Sequence, residues 1–282
     1  MICYLPEITI YMLYYLNLQT ILCLSTISKA IYSLISGEKF IKELRLLKQK
    51  ERYISESQII NLAAKNNCVC LIDWIDNSVN KFMYDVNAID FAALNNNVAV
   101  LDWFKKSNHE FKYTKNALDW ASWKGNSRIL KWFSVSGYKI IVSLNAVDWA
   151  SEFGHIYILE MLLRMDCKFE YSYRAIDSAS KFGHVKVLQW FVDNELELKY
   201  STNAIDNAAE RGYCDVLEWF DKSKYNFLYE NAISWAIMRG QIQVLEWFKK
   251  SRYEFKYAPD SLSYATFSGN EHVIKWLENQ KN

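Results

Sequence analysis

The side chains of this 282-residue chain that could do chemistry are four histidines, six cysteines and a column of aspartates. His155 and His184 each follow a glycine and stand at a 29-residue step, so they occupy a repeated position where a structural role is expected; His109 and His272 complete the set. Asp90, Asp119, Asp148, Asp177 and Asp206 recur at the same step. Each has a helix-capping explanation, so no acid/base pair of carboxyls in opposed environments emerges. Cys68 and Cys70 form a lone C-x-C without a partner Cys or His at zinc spacing, and Cys3, Cys23, Cys167 and Cys214 are scattered, so free, buried thiols are expected. There is no glycine-rich phosphate loop and no nucleophile elbow. The expectation is a chain that is not an enzyme, with no cofactor and no metal.

The elements that position these residues repeat. Trp74, Trp103, Trp132, Met161, Trp190, Trp219, Trp247 and Trp276 follow that 29-residue step except for one step of 28, and Ala63, Ala92, Ala121, Ala150, Ala179, Ala208, Ala236 and Ala265 keep the same register. A fixed period over many units marks a stacked-repeat architecture. Each unit reads as two helices and a connector. Asn145 is expected to cap the first helix, with Asp148 three positions on completing a capping box; Asn87 with Asp90, Asn116 with Asp119 and Asn203 with Asp206 repeat the pair. The first helix should end at Gly154 and its equivalents Asn67, Asn96, Gly125, Gly183, Gly212, Gly240 and Gly269, since Gly and Asn accept the left-handed conformation best. The second helix places Ile158, Leu159 and Leu162, or Val187, Leu188 and Phe191, on one apolar face. The connector alternates, as in Phe82 and Tyr84 or Phe227 and Tyr229, which predicts extended chain with both rings on one side. One such unit cannot cover its own tryptophans and leucines, so units must stack, with the indoles in the shared core.

Composition narrows the function. At 51% hydrophobic and 16% aromatic the chain is not disordered. A formal net charge of +1 lacks the long-range field of a nucleic-acid binder, even though aromatics interleave with lysines at 103–106 and 253–257. The stretch from Ile8 to Ser28 carries no charge, but polar residues interrupt it and no Lys or Arg precedes it, so short helices are expected there and no membrane span.

The helix, Gly-His turn, helix order resembles the ankyrin repeat, with Ala-Val-Asp-Trp-Ala-Ser-Glu-Phe-Gly-His at 146–155 standing where that family has Thr-Pro-Leu-His-x-Ala-Ala-x-x-Gly-His. The family's Pro and His are absent, and the 29-residue unit is shorter than the usual repeat. The missing residues fall in the connector, which implies short fingers and moves the expected contact surface to the first helices. The resemblance implies an all-α, ankyrin-type helical-hairpin solenoid over residues 51–282, of about eight repeats. Arrays rich in Trp, Phe, Asn, Lys and Tyr are also similar to those of giant amoebal DNA viruses, which would place the protein in a host cytoplasm.

Residues 1–50 are expected to form a separate helical module. Leu5-Pro6-Glu7, Leu16-Asn17-Leu18, Leu22 and Leu24 resemble an F-box in order and spacing, which implies docking to a Skp1-like adaptor and a role as a substrate adaptor of a cullin ubiquitin ligase. A helical cap that shields the open end of the array accounts for the same residues.

Within the repeats, the two residues before each turn vary most: Trp123 and Lys124, Glu152 and Phe153, Lys181 and Phe182, Glu210 and Arg211, Met238 and Arg239. In ankyrin proteins the matching positions line the concave groove, and exposed aromatics and arginines dominate binding hot spots. The expected function is a monomeric protein-interaction scaffold in the cytoplasm, with a protein partner on that face and no nucleic-acid or membrane partner. A nucleic-acid-binding helical solenoid and a purely structural spacer are the alternatives.

Overall fold

The computed structural model describes residues 55–78, 81–165 and 167–279. The F-box-like or capping module, with Leu5, Pro6, Leu16, Leu18, Leu22 and Leu24, and the uncharged stretch from Ile8 to Ser28 lie outside the described residues. Among the described residues every regular element is a helix, and sixteen of them form eight hairpins. They are α1 (Glu56–Lys65) with α2 (Val69–Ser78), α3 (Asn87–Leu94) with α4 (Val98–Lys106), α5 (Asn116–Lys124) with α6 (Ser127–Ser136), α7 (Leu144–Glu152) with α8 (Ile156–Arg164), α9 (Arg174–Lys181) with α10 (Val185–Asp193), α11 (Asn203–Arg211) with α12 (Cys214–Lys222), α13 (Ala232–Arg239) with α14 (Ile242–Lys250), and α15 (Asp260–Phe267) with α16 (Glu271–Asn279). The chain divides into two compact units, Met1–Val142 and Ser143–Asn282, here the first and second unit. The first holds α1–α6, and the second holds α7–α16. No helix among the described residues is long and apolar enough to cross a membrane.

Inside each unit the hairpins stack side by side. First helices pack on first helices (α1, α3, α5; then α7, α9, α11, α13, α15) and second helices on second helices. The alanine column explains the close approach of the first helices: all eight, from Ala63 to Ala265, are 0% exposed, and a methyl lets neighbouring backbones draw together. This is the ankyrin-type arrangement the sequence predicts. The apolar triplets of the second helices are also buried as expected, among them Ile158, Leu159, Leu162, Val187, Leu188, Val216 and Leu217.

The largest core side chains differ from the expectation. The tryptophans were expected in the core, but the residue after each one fills it: Phe104, Phe133, Phe191, Phe220 and Phe248 are at most 1% exposed. Trp190 is buried, whereas Trp103, Trp132, Trp219, Trp247 and Trp276 are half-buried. The indole N–H groups have a different use. Trp103 donates to Asp73 (3.0 Å), Trp132 to Asp102 (2.7 Å), Trp219 to Gln189 (3.0 Å) and Trp247 to Glu218 (2.9 Å), each acceptor lying on the second helix of the preceding hairpin. An indole has one polar N–H that needs a partner, so it sits where a ring face is covered and an edge reaches the surface.

Every turn glycine from Gly125 to Gly269 has positive φ, as do Asn67 and Asn96, which confirms the left-handed stop. At Gly183 the space is closed as well: a Cβ there would stand 2.7 Å from two carbons of the Tyr213 ring in the next hairpin. Gly183→Ala is therefore expected to cost at least about 1 kcal/mol for a left-handed non-glycine residue, plus the displacement of that ring. Thermal denaturation checks it; an unchanged melting temperature would show that the turn tolerates a side chain.

Candidate functional site

The aspartate column joins neighbouring hairpins. Asp90 accepts from the N–H (2.9 Å) and hydroxyl (2.5 Å) of Thr114, Asp148 from the N–H and hydroxyl of Ser172, and Asp177 from the N–H (2.9 Å) and hydroxyl (2.5 Å) of Ser201. Asp206 takes two backbone N–H groups, of Glu230 and Asn231, at 3.0 Å each. The predicted capping box is thus corrected. Asn87, Asn116 and Asn203 are the first helical residues, and the residues before them, Val86, Lys115 and Thr202, make no side-chain cap bond. The hydroxyls of Thr114, Ser172 and Ser201, two positions upstream of the helix start, accept from the N–H of Asn116, Arg174 and Asn203 and donate to the aspartate behind. A carboxylate on a packed helix face meets the next hairpin's connector before it can bend back to its own helix start, and the buried N–H there requires an acceptor.

Burial pushes the carboxyls of Asp90, Asp148, Asp177 and Asp206 above the usual range, and the hydrogen bonds from the next connector oppose that. The first hairpin pair inverts the arrangement. Asn61 stands in the aspartate column, and Asp85 replaces the threonine or serine, accepting from Asn61 (3.1 Å), Ser57 (2.7 Å) and the N–H of Asn87 (2.8 Å). Burial acts upward on Asp85 too, but these bonds outweigh it and hold its carboxyl below the ordinary value.

Other features with chemical potential are absorbed by the same stacking. The residue after the turn reaches the carbonyls that end the preceding first helix: Asn97 donates to Ala64 and Lys65, Asn126 to Ala93 and Leu94, and Asn270 to Met238. His184 shares that position and lies under Gly154, its ring atoms 3.0 Å from where a Cβ would stand. His109 instead pairs with Asp76 (2.7 Å) and stacks on Phe82. Connector tyrosines bridge too: Tyr171 donates to the Glu197 carbonyl (2.6 Å), Tyr200 to that of Asn226 (2.7 Å) and Tyr84 to that of Glu110. The connectors contain no strand among the described residues, and their paired rings lie together as expected, 5.6 Å apart for Phe82 and Tyr84 and 5.7 Å for Phe227 and Tyr229. Cys68, Cys70, Cys167 and Cys214 form no disulfide, and they are not buried as expected: Cys70 is exposed and the other three are half-buried. Among the described residues no three His, Cys, Asp or Glu side chains come together to hold a metal. An open depression between α10 and α12, walled by Gln189, Asp215, Glu218, Trp219 and Lys222, mixes both charges without converging on a point.

The variable positions occupy the solvent-facing ends of the first helices. In the second unit Phe153 is 44% exposed, Arg211 and Arg239 are exposed, and Glu152, Lys181, Phe182, Glu210 and Met238 are half-buried. They are linked along the stack. Arg239 forms a salt bridge with Glu210 (Nη2 to Oε1 2.8 Å, Nε to Oε1 2.9 Å), and the Phe182 ring lies under Arg211 (5.1 Å) and Lys181 (5.9 Å). In the first unit, exposed Lys124 lies 3.8 Å from the ring centre of half-buried Trp123.

A further column on this face escaped the repeat reading. Five positions before each turn stand Leu62, Phe91 and Trp120 in the first unit, of which Leu62 is buried, and Trp149, Ser178, Asn207, Trp235 and Tyr264 in the second. Phe91 and Trp120 stack with their planes 8° apart, and Trp235 and Tyr264 are 36% and 54% exposed. The signal was present: Trp120, Trp123, Trp149 and Trp235 are the tryptophans outside the periodic column, and all four lie on first helices.

The family described as "Ankyrin repeats (many copies)" matches residues 147–192, a stretch that begins within α7 and ends within α10. No curated protein matches. Among solved structures, the chain is similar to the human ASB11 ankyrin repeat domain, at 15% identity and a TM-score of 0.49, over 75% of this chain and 96% of that one.

Proposed function

We propose that this ankyrin-type array is a non-catalytic scaffold that captures a protein partner on the first-helix face of its second unit. The observation that carries the reading is the contrast between columns within one chain. Two of the positions that join hairpins keep their chemistry in all eight copies, Ala at one and Gly or Asn at the other, and Asp holds a third from Asp90 to Asp206, while the positions before the turn change type from hairpin to hairpin. Contact between hairpins demands the first kind of uniformity; on the varied face Phe153, Trp235 and Tyr264 are exposed, and large aromatic side chains are the type that anchors protein partners. Ankyrin repeats are general protein-interaction modules, which supports the same conclusion. Replacing Phe153 and Phe182 together with alanine in the intact chain is expected to abolish partner capture in an affinity pull-down while leaving the melting temperature within a few degrees. A large fall in melting temperature would show that these rings belong to the core, and retained capture would move the binding surface elsewhere.

The F-box-like order of Leu5-Pro6-Glu7, Leu16, Leu18, Leu22 and Leu24 supports an additional role, in which the N-terminal module docks a Skp1-like adaptor and the array presents its captured partner to a cullin ubiquitin ligase in the cytoplasm. The resemblance of this Trp-, Phe-, Asn-, Lys- and Tyr-rich array to those of giant amoebal DNA viruses is what supports a viral origin and a host partner. Co-purification of the intact chain with a Skp1-like protein, lost on changing Leu5 and Pro6, is the expected result; co-purification that survives the change, or never occurs, leaves the segment as a cap.

A further inference from the structure

We infer that the segment captured by the second unit is acidic and carries large apolar side chains, its carboxylates seated over α9 and α11. The inference rests on the reading of this face as a protein-binding surface and adds the chemistry of what binds. The Phe182 ring is half-buried, and the guanidinium of Arg211 and the ammonium of Lys181 both lie over it, at 5.1 and 5.9 Å. Among the described residues neither cation has a carboxylate within salt-bridge reach. Arg239, at the equivalent place on the next hairpin, is already held by Glu210. Asp177 and Asp206, in the first turns of the same two helices, are buried and spent on the connectors.

The centre of the face therefore offers an aromatic ring with two uncompensated cations, of which Arg211 presents a planar fork that accepts a carboxylate with two parallel hydrogen bonds. Phe153 on the preceding hairpin, 44% exposed, supplies an apolar contact beside it. Neighbouring helices pack about 8–10 Å apart, which an extended peptide covers in about three residues. Side chains two positions apart share one face of an extended peptide, so an apolar residue followed two positions later by a carboxylate would turn the first towards Phe153 and the second towards the Phe182–Arg211 cluster. Glu152 on α7 is the carboxylate that limits the cationic stretch on that side.

The test is fluorescence anisotropy on the intact chain, with three labelled synthetic peptides of one length: Ser at every second position with Leu or Phe and Glu taking turns at the positions between, the same with Gln in place of Glu, and the same with Lys in place of Glu. The Glu peptide is expected to bind about tenfold or more tightly than the Gln peptide, with an affinity that falls as salt is added. Arg211→Glu combined with Lys181→Glu should erase that preference and favour the Lys peptide, with an unchanged melting temperature as the control for folding; Arg211→Gln should give an intermediate loss. Equal binding of Glu and Gln peptides overturns the inference. If that shared binding is lost on changing Phe153 and Phe182, protein capture by this face still stands. Failure of every peptide to bind, in a chain whose capture of a folded partner depends on the same two rings, likewise sinks the acidic segment alone. An oligouridylate probe that binds more tightly than the Glu peptide through Arg211 and Lys181 would assign the cations to nucleic acid and overturn both.

Discussion

Replacing Phe191 with alanine is expected to lower the unfolding free energy by about 3–5 kcal/mol, whereas Trp219→Phe costs about 1 kcal/mol, the net worth of one hydrogen bond. Phe191 is 0% exposed and meets the Tyr171 ring edge-on at 5.0 Å, so its removal opens a cavity within the stacked hairpins. Trp219 is half-buried, and its loss to Phe removes chiefly the N–H donated to Gln189. Urea denaturation of each variant reads the difference. Comparable losses from the two changes would restore the tryptophans as the core and refute the assignment to the phenylalanines that follow them. Because stacked repeats are coupled mainly to their neighbours, the Phe191 effect is expected in the transition of the second unit.

Asp177→Ala is expected to cost about 2–3 kcal/mol, since it removes two hydrogen bonds to a charged acceptor and leaves the Ser201 N–H without one. Asp177→Asn should cost much less. The first hairpin pair already carries an amide, Asn61, in that column, and the Ser201 hydroxyl is free to turn and accept. The two polarities also predict opposite pH dependences. The Asp177 carboxyl is raised by burial, so the folded chain binds its proton more readily than the unfolded chain does. Its contribution is fully present below the ordinary value of 3.8 and is lost as pH rises through the folded value. The cost of Asp177→Asn should therefore shrink from acid towards neutral pH. Asp85 is lowered, so its contribution is present above 3.8 and lost as pH falls through the folded value. The cost of Asp85→Asn should grow from acid towards neutral pH. Stability curves for the two variants against the parent chain, measured from neutral pH down through the carboxylate range, check the signs; parallel curves would mean that burial and hydrogen bonding do not divide as described.

The proposed partner surface was partly legible in the residues. Arg211, Arg239 and Phe153 are exposed where comparison of the copies put them. Phe91, Trp120, Trp149 and Trp235 share the period and apolar character of core positions, and only Ser178 and Asn207 in the same column mark it as a surface position. Period alone does not say which side of a helix faces a neighbour. The Phe182–Arg211 cluster could not be anticipated either, since it joins side chains one full repeat apart whose approach depends on how neighbouring first helices sit.

What the sequence by itself determined is the hairpin and its repetition. Small residues at one column, Gly or Asn at another and spaced aliphatic triplets are local requirements of close helix contact, of a left-handed stop and of an apolar face. Each can be read from one copy and tested on the next. Only the tertiary structure decided the use of the polar members. An aspartate near the start of a helix has two acceptable partners, its own helix start or the connector of the next hairpin, and an indole has two acceptable depths. Stacking chooses between them, because the neighbour supplies a buried N–H that needs the carboxylate and a carboxylate or amide that reaches the indole edge.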